Sequence, residues 1–195
     1  LLGSDGAPLG EHFKHKLVPF GEYIPFSNVF PVLKRVFQNA NPNLNTQPGR
    51  EFQIWTLKDV RMAAQVCFEI LYPNLARRFV REGARLIINS ANDGWYQDIG
   101  QTEQHLALGI YRCIETRVPM VRATNTGVSA YVSAAGEIQG ETSPFEQPWV
   151  DCRSVPVPEL SSFYRRFGDV FGIGCVLFVI LAFVRNAIIS RNRHL

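Results

Sequence analysis

Residues 170–184, VFGIGCVLFVILAFV, carry no charged or strongly polar side chain, and extending the run to Ile189 admits only Arg185 and Asn186. A spanning helix needs about 20 mostly apolar residues, so 170–189 reaches the length that a bilayer's hydrocarbon core demands. A terminal arginine can snorkel to the headgroups. This run predicts one transmembrane helix over 168–189, with 190–195 as a short basic tail. A buried or interfacial helix is the alternative for a run of this length. Arg165 and Arg166 precede the uncharged run 170–184, while Arg185, Arg191 and Arg193 follow it. The near balance tilts slightly toward a cytoplasmic C-terminus.

The rest of the chain reads as one domain. Of 195 residues 46% are hydrophobic, enough for a sizeable core. Lys plus Arg total 20 against 17 for Asp plus Glu, and basic residues form no run interleaved with aromatics. Nucleic acid is therefore not expected as a partner. The four cysteines, Cys67, Cys113, Cys152 and Cys175, contain no CxxC pair, and the four histidines form no HExxH motif. No metal site or cofactor is expected. Cys175 lies in the apolar run and Cys67 in an expected buried strand, so a disulfide framework is not expected either. Leu1 and Leu2 run straight into turn chemistry at 4–10, SDGAPLG, like the end of a strand whose beginning lies upstream.

Along the chain, EHFKHKLVPFGEYIPF suggests a short basic strand ending in a Pro/Gly-rich loop. Phe26, Val29, Phe30, Leu33, Val36 and Phe37 recur at near-helical spacing. Alternation predicts strands at 52–57 and 61–68, joined by a Lys-Asp turn. A helix over 73–83, stopped by Gly83, and a buried strand over 85–91 follow. A second helix over 102–117 has Thr102 as N-cap. PMVRATN, GVSAYVSA and GEIQGE close the domain as strands separated by Gly-containing turns. This order of strands and helices implies an α/β sandwich core with helices over the sheet faces.

Three stretches offer chemistry. KHKLVPFGE supplies Lys14, Lys16 and Glu22; CFE supplies Cys67 and Glu69; NDGWY supplies Asn92, Asp93 and Trp95. A cysteine attacks as thiolate, favoured by nearby positive charge and a fixed base. The ends of successive strands gather at one edge of a sheet, where ligands bind. Each residue also has a plain structural role: Cys67 as a small packed side chain, Lys14 as a solvated strand lysine, Glu22 as a loop charge, Trp95 as a core plug.

KxxLVPFGEYIPF, CFE, SANDGWY and ETRVPMVRATNTG, in that order, resemble the bacterial apolipoprotein N-acyltransferases, a membrane branch of the nitrilase (carbon–nitrogen hydrolase) superfamily. The resemblance covers nearly all of residues 1–190. It implies that 1–164 is the C-terminal portion of a nitrilase-like α-β-β-α sandwich, followed by the membrane helix. It further implies that Cys67 is the nucleophile, Lys14 the catalytic lysine, Glu22 an accessory glutamate and Glu69 the required acid two residues after the nucleophile. Trp95, Phe68 and Asn92 fall at substrate-binding positions. The general-base glutamate lies, in the family, upstream of Leu1, so these residues alone would be inactive. His12 stands where the family usually has Tyr, Lys16 where it often has His, and Phe68 where Tyr is common.

The implied reaction moves a fatty acyl chain from a phospholipid to the α-amine of a lipoprotein's diacylglyceryl-cysteine through a cysteine thioester. It implies residence in the bacterial inner membrane, with the catalytic domain on the periplasmic face. An amidase or nitrilase acting on a soluble carbon–nitrogen bond, and a non-catalytic membrane-anchored binding module, remain alternatives. The apolar stretch 26–37 suits either an arm dipping into the interface or an amphipathic helix packed on the domain.

Overall fold

The computed structural model describes residues 2–3, 5–38, 44, 46–95, 99–142 and 150–192. Within them, six strands form one sheet in chain order: β1 (Trp55–Leu57), β2 (Val60–Val66), β3 (Leu86–Ala91), β4 (Met120–Thr124), β5 (Ala130–Val132) and β6 (Ile138–Glu141). The β2–β3 and β3–β4 pairs are parallel and the outer pairs antiparallel. Parallel strands need crossover helices. Two supply them: α2 (Pro73–Arg81) between β2 and β3, and α3 (Ile99–Thr116) between β3 and β4.

Both helices form for legible reasons. Pro73 opens α2 where a missing N–H costs nothing. Leu75, Ala76, Phe79 and Val80 bury one stripe. Gly83, at φ +106°, then turns the chain in a conformation that L side chains rarely adopt. On α3 the buried positions Thr102, His105, Leu106, Gly109, Arg112, Cys113 and Thr116 recur at three and four. They meet the covered sheet face in a core of Ile70, Ala76, Val80, Ile87, Leu106, Cys113, Val118, Met120 and Val132. A second cluster packs Leu75 and Phe79 on Ala63 and Ala84, with Phe52 and Ile54 against it.

The covered face is not apolar to its end. Gln65, Asn89 and Arg122 are register partners across β2, β3 and β4, and all three are buried. They form a polar row near the C-terminal ends of the parallel strands, where the connecting loops carry the candidate chemistry.

The C-terminal helix α5 runs Val170–Asn192, three residues into the expected tail; Arg193 lies outside the described residues. It is long and apolar enough to cross a membrane, and none of its apolar stretch is buried against the domain. Its 22-residue candidate span measures about 33 Å at 1.5 Å per residue. The short helix α4 (Phe163–Phe167) joins it to the domain. Ser162 caps α4 by accepting from Arg165 N at 2.9 Å. Arg77 of α2 donates to the carbonyls of Tyr164, Arg165 and Arg166 at 2.9, 3.1 and 3.0 Å.

Several expectations change. The segment around Lys14 makes no strand ladder, because its polar backbone groups are taken by the Glu69 side chain and by Gly49. Strand 52–57 shrinks to Trp55–Leu57, the three residues that pair antiparallel with Met62, Arg61 and Val60 of β2. The periodic stretch 26–37 divides: Phe26 turns at φ 60°, and helix α1 (Pro31–Gln38) starts only at its proline. Thr102 is no N-cap, since α3 begins at Ile99 and buries Thr102 within its first turn. Cys67 leaves the strand altogether: β2 ends at Val66, and Cys67 opens a 3-10 turn, Cys67–Leu71.

Candidate active site

Cys67 adopts φ 51°, a left-handed conformation uncommon for a residue with a Cβ. A strand that breaks into such a turn presents its side chain at the sheet edge instead of in the pleat. The thiol is half-buried and sits 3.9 Å from the Asn92 carbonyl, on the loop after β3. The other cysteines differ in kind. Cys113 is fully buried in the core, where burial pushes its thiol up to about 12. Cys152 and Cys175 are exposed, on an extended segment and on α5, and all four are free thiols.

Glu69 is the structural centre of the turn. Its side chain is wholly buried, yet both oxygens are occupied. Oε1 accepts from His15 N at 2.6 Å and Lys16 N at 3.2 Å. Oε2 accepts from Val66 N at 2.7 Å and from His12 Nε2 at 3.0 Å. Burial alone would raise this carboxyl; the hydrogen bonds from His12, Val66 and His15 outweigh it and hold it below its ordinary value. One carboxylate thus ties residues 12–16 to Val66, the residue preceding Cys67. His12, read from sequence only as a departure, takes one of the carboxylate's oxygens. His15 stacks on Phe52 at 4.1 Å and holds the Gly49 carbonyl at 2.9 Å, bracing the same segment.

Lys14 rides on that braced segment. Its side chain is 11% exposed and its Nζ donates to Glu22 Oε1 at 2.7 Å. Val18 N holds the other Glu22 oxygen at 2.8 Å, so the partner of the ammonium is itself fixed. Phe68 is half-buried, edge-on to Tyr72 at 5.8 Å. Asn92 is exposed and accepts from Asn125 Nδ2 at 2.7 Å, clipping the loops after β3 and β4 together. Asp93 N completes the clip on Asn125 Oδ1 at 3.0 Å. Trp95 does not plug the core; it stands 73% exposed on the same loop. These contacts link Cys67, Glu69, Asn92 and the Lys14 segment, while Trp95 stands exposed on the loop that carries Asn92.

Beneath the cysteine lies a buried polar assembly of which the sequence reading names only Asp93 and misses His105, Arg122, Asn89 and Gln65. Asp93, 0% exposed, lies between His105 Nδ1 at 2.9 Å and Arg122 Nη2 at 2.7 Å. Burial would raise its carboxyl, but His105 and Arg122 hold it below the ordinary range. Arg122 also donates to Asn89 Oδ1 and, at 3.1 Å, to the Val128 carbonyl. Asn89 passes the contact on to the Gln65 carbonyl at 2.8 Å. The available signal was the alternation in RLIINSA and PMVRATN, which sets Asn89 and Arg122 on the inward face of their strands. Among the described residues no three His, Cys, Asp or Glu side chains group as metal ligands.

Residues 1–150 match the family model for carbon–nitrogen hydrolases. The chain is 35% identical over 192 residues to the apolipoprotein N-acyltransferase of Geobacter metallireducens, covering 96% of this chain and 36% of that protein. It is 36% identical over 192 residues to the protein of the same name from Chlorobaculum tepidum, covering 93% of this chain and 36% of the other. The chain thus spans little more than a third of the length of these curated relatives. A solved carbon–nitrogen hydrolase from Helicobacter pylori G27 superposes with TM-score 0.48 and 19% identity, over 54% of this chain and 46% of that one.

Proposed function

The chain belongs to the carbon–nitrogen hydrolase family, and from that premise we propose that it carries the nucleophilic part of an N-acyltransferase working at a membrane surface. The substrates on this reading are a phospholipid acyl donor and the α-amine of a diacylglyceryl-cysteine lipoprotein. One arrangement carries it. A cysteine turned out of a strand end is tied through Glu69 to the segment bearing Lys14, on a domain that continues into a helix of membrane-crossing length.

In the first half-reaction the Cys67 proton passes to a general base and the thiolate attacks the ester carbonyl. Lys14 neutralises the tetrahedral oxyanion together with a backbone N–H of the Cys67 turn. The ester C–O bond breaks, the lysophospholipid oxygen takes the proton, and a thioester remains. In the second half the lipoprotein amine attacks, the C–S bond breaks, and the base returns the amine proton to sulfur. The base on this reading is a glutamate outside these 195 residues. The acids at hand are otherwise committed: Glu22 to Lys14, Glu69 to four donors, Asp93 to His105 and Arg122. On this reading residues 1–195 do not turn over by themselves.

Lipid substrates suit the exposed surface. Phe20, Phe26, Val29, Phe30 and Val32 are each more than half exposed on the segment that follows the Lys14 loop. Each acyl methylene buried contributes about 0.8 kcal/mol, so neither substrate leaves the bilayer readily and the site must meet it at the interface. An arm of exposed aromatics is suited to that meeting. In the bacterial inner membrane the domain would then face the periplasm.

The test is the full-length protein in detergent with phosphatidylethanolamine, read by peptide mass spectrometry. A hydroxylamine-labile acyl group on Cys67, absent from Cys67→Ala and Lys14→Ala, is expected. Folded, lipid-bound protein with an unmodified Cys67 would overturn the reading. Release of free fatty acid in the presence of a lipopeptide amine, with no acylated lipopeptide, would point instead to a hydrolase.

A further inference from the structure

His105 lies behind the nucleophile and is 3% exposed. Its Nε2 is 3.2 Å from the carbonyl oxygen of Cys67. A carbonyl can only accept, so Nε2–H donates. On its other side Nδ1 is flanked by Asp93 Oδ1 at 2.9 Å and Arg122 Nη2 at 3.1 Å. The carbonyl that His105 grips belongs to the same peptide unit as the Phe68 N–H. In a trans peptide those two groups point in opposite directions. Phe68 N lies in the first turn of the 3-10 segment, where helical geometry provides no acceptor within the helix. Holding the carbonyl down toward α3 therefore turns that N–H up and away from α3.

We propose that His105 is a positioning residue: through the Cys67 carbonyl it orients the 67–68 peptide so that the Phe68 N–H donates to the oxyanion formed when Cys67 attacks. The inference rests on the acyl-transfer reading of Cys67. The grip has something to do, because Cys67 sits at φ 51° and an unheld peptide there would relax to a more populated conformation. It also has a rigid backing. Asp93 holds the ring, Arg122 holds Asp93, and the chain of contacts runs through Asn89 to Gln65 across three strands. Gly127 belongs to the same architecture: a Cβ there would run into Asp93 Oδ2. Arg122 and Gly127 are the first and last residues of RATNTG, so that motif serves the nucleophile from below.

Two amide variants separate positioning from packing. Gln at 105 brings a donor to about the reach of Nε2; Asn brings one only to that of Nδ1. In the full-length protein, His105→Asn is expected to slow Cys67 acylation about 100-fold in kcat, with KM for phosphatidylethanolamine changed less than about twofold. His105→Gln is expected to retain the rate within about tenfold. Alkylation of Cys67 by iodoacetamide passes through no oxyanion, so it should change less than about threefold in both variants. Equal losses in Gln and Asn variants that track their melting temperatures would overturn the proposal in favour of plain packing. A parallel loss of alkylation would overturn it in favour of an effect on the thiol. If the wild type alkylates but accepts no acyl group from phospholipid, the acyl-transfer reading fails first. The same Gln-to-Asn comparison with p-nitrophenyl butyrate then decides the role of His105 separately.

Discussion

Replacing Glu69 by Gln keeps the shape of the side chain and removes its charge. The carboxylate receives two donors on each oxygen: His15 N and Lys16 N on Oε1, Val66 N and His12 Nε2 on Oε2. An amide can offer only one oxygen. Its better orientation keeps the oxygen toward His15 and Lys16, where the two bonds lose charge assistance, about 1 kcal/mol each. The NH2 then faces the Val66 N–H, another donor, while His12 can adapt by changing tautomer. Leaving one buried N–H unmet costs about 1 kcal/mol or more, for a total of about 3 kcal/mol. Opening of the 12–16 segment from the Cys67 turn should become about 100-fold easier. Hydrogen exchange with mass spectrometry on peptides spanning residues 12–18 of the full-length protein reads this directly.

Acid should reproduce the effect in the wild type. The folded carboxyl lies below its ordinary 4.5, so its stabilisation is full above that value and fades as pH falls through the lowered one. Exchange corrected for intrinsic rates should therefore separate wild type from Glu69→Gln at neutral pH and converge in acid. Unchanged protection of His15 and Lys16 in the variant at neutral pH would refute the reasoning.

A methyl group at Gly127 would collide with Asp93 Oδ2, whereas one at Gly172 meets nothing within 4 Å. Gly127→Ala should destabilise by about 1–3 kcal/mol and Gly172→Ala by no more than a few tenths; equal melting temperatures would contradict this packing. Because burial holds the Cys113 thiol near 12, Cys113 should resist iodoacetamide in mildly alkaline buffer until the domain unfolds, while Cys67 reacts in the native state. Native labelling of Cys113 would contradict its place in the core.

The elements whose signal is local were legible. The apolar run, Pro73 and Gly83 around α2, and the existence of strands β3 and β4 each follow from a handful of neighbouring side chains. The boundaries missed were those set by partners. Lys14's segment looked like a strand because alternation cannot reveal that its N–H groups will be met by a glutamate 54 positions away from His15. Thr102 looked like a cap because propensity is blind to the packing that extends α3 to Ile99.

For the candidate site, the sequence alone supplied the candidates: a cysteine, a lysine and two glutamates in motifs that resemble those of one family. It also determined that residues 170–189 form a run of membrane-crossing length, since length and hydropathy are one-dimensional quantities. Only the tertiary structure decided that Cys67 turns out of its strand, that Glu69 ties the Lys14 segment to it, and that His105, Asp93 and Arg122 stand beneath. Those facts depend on hydrogen bonds between residues tens of positions apart. Burial makes such bonds obligatory, but it is the packing of α3 on the sheet that selects which groups are buried together.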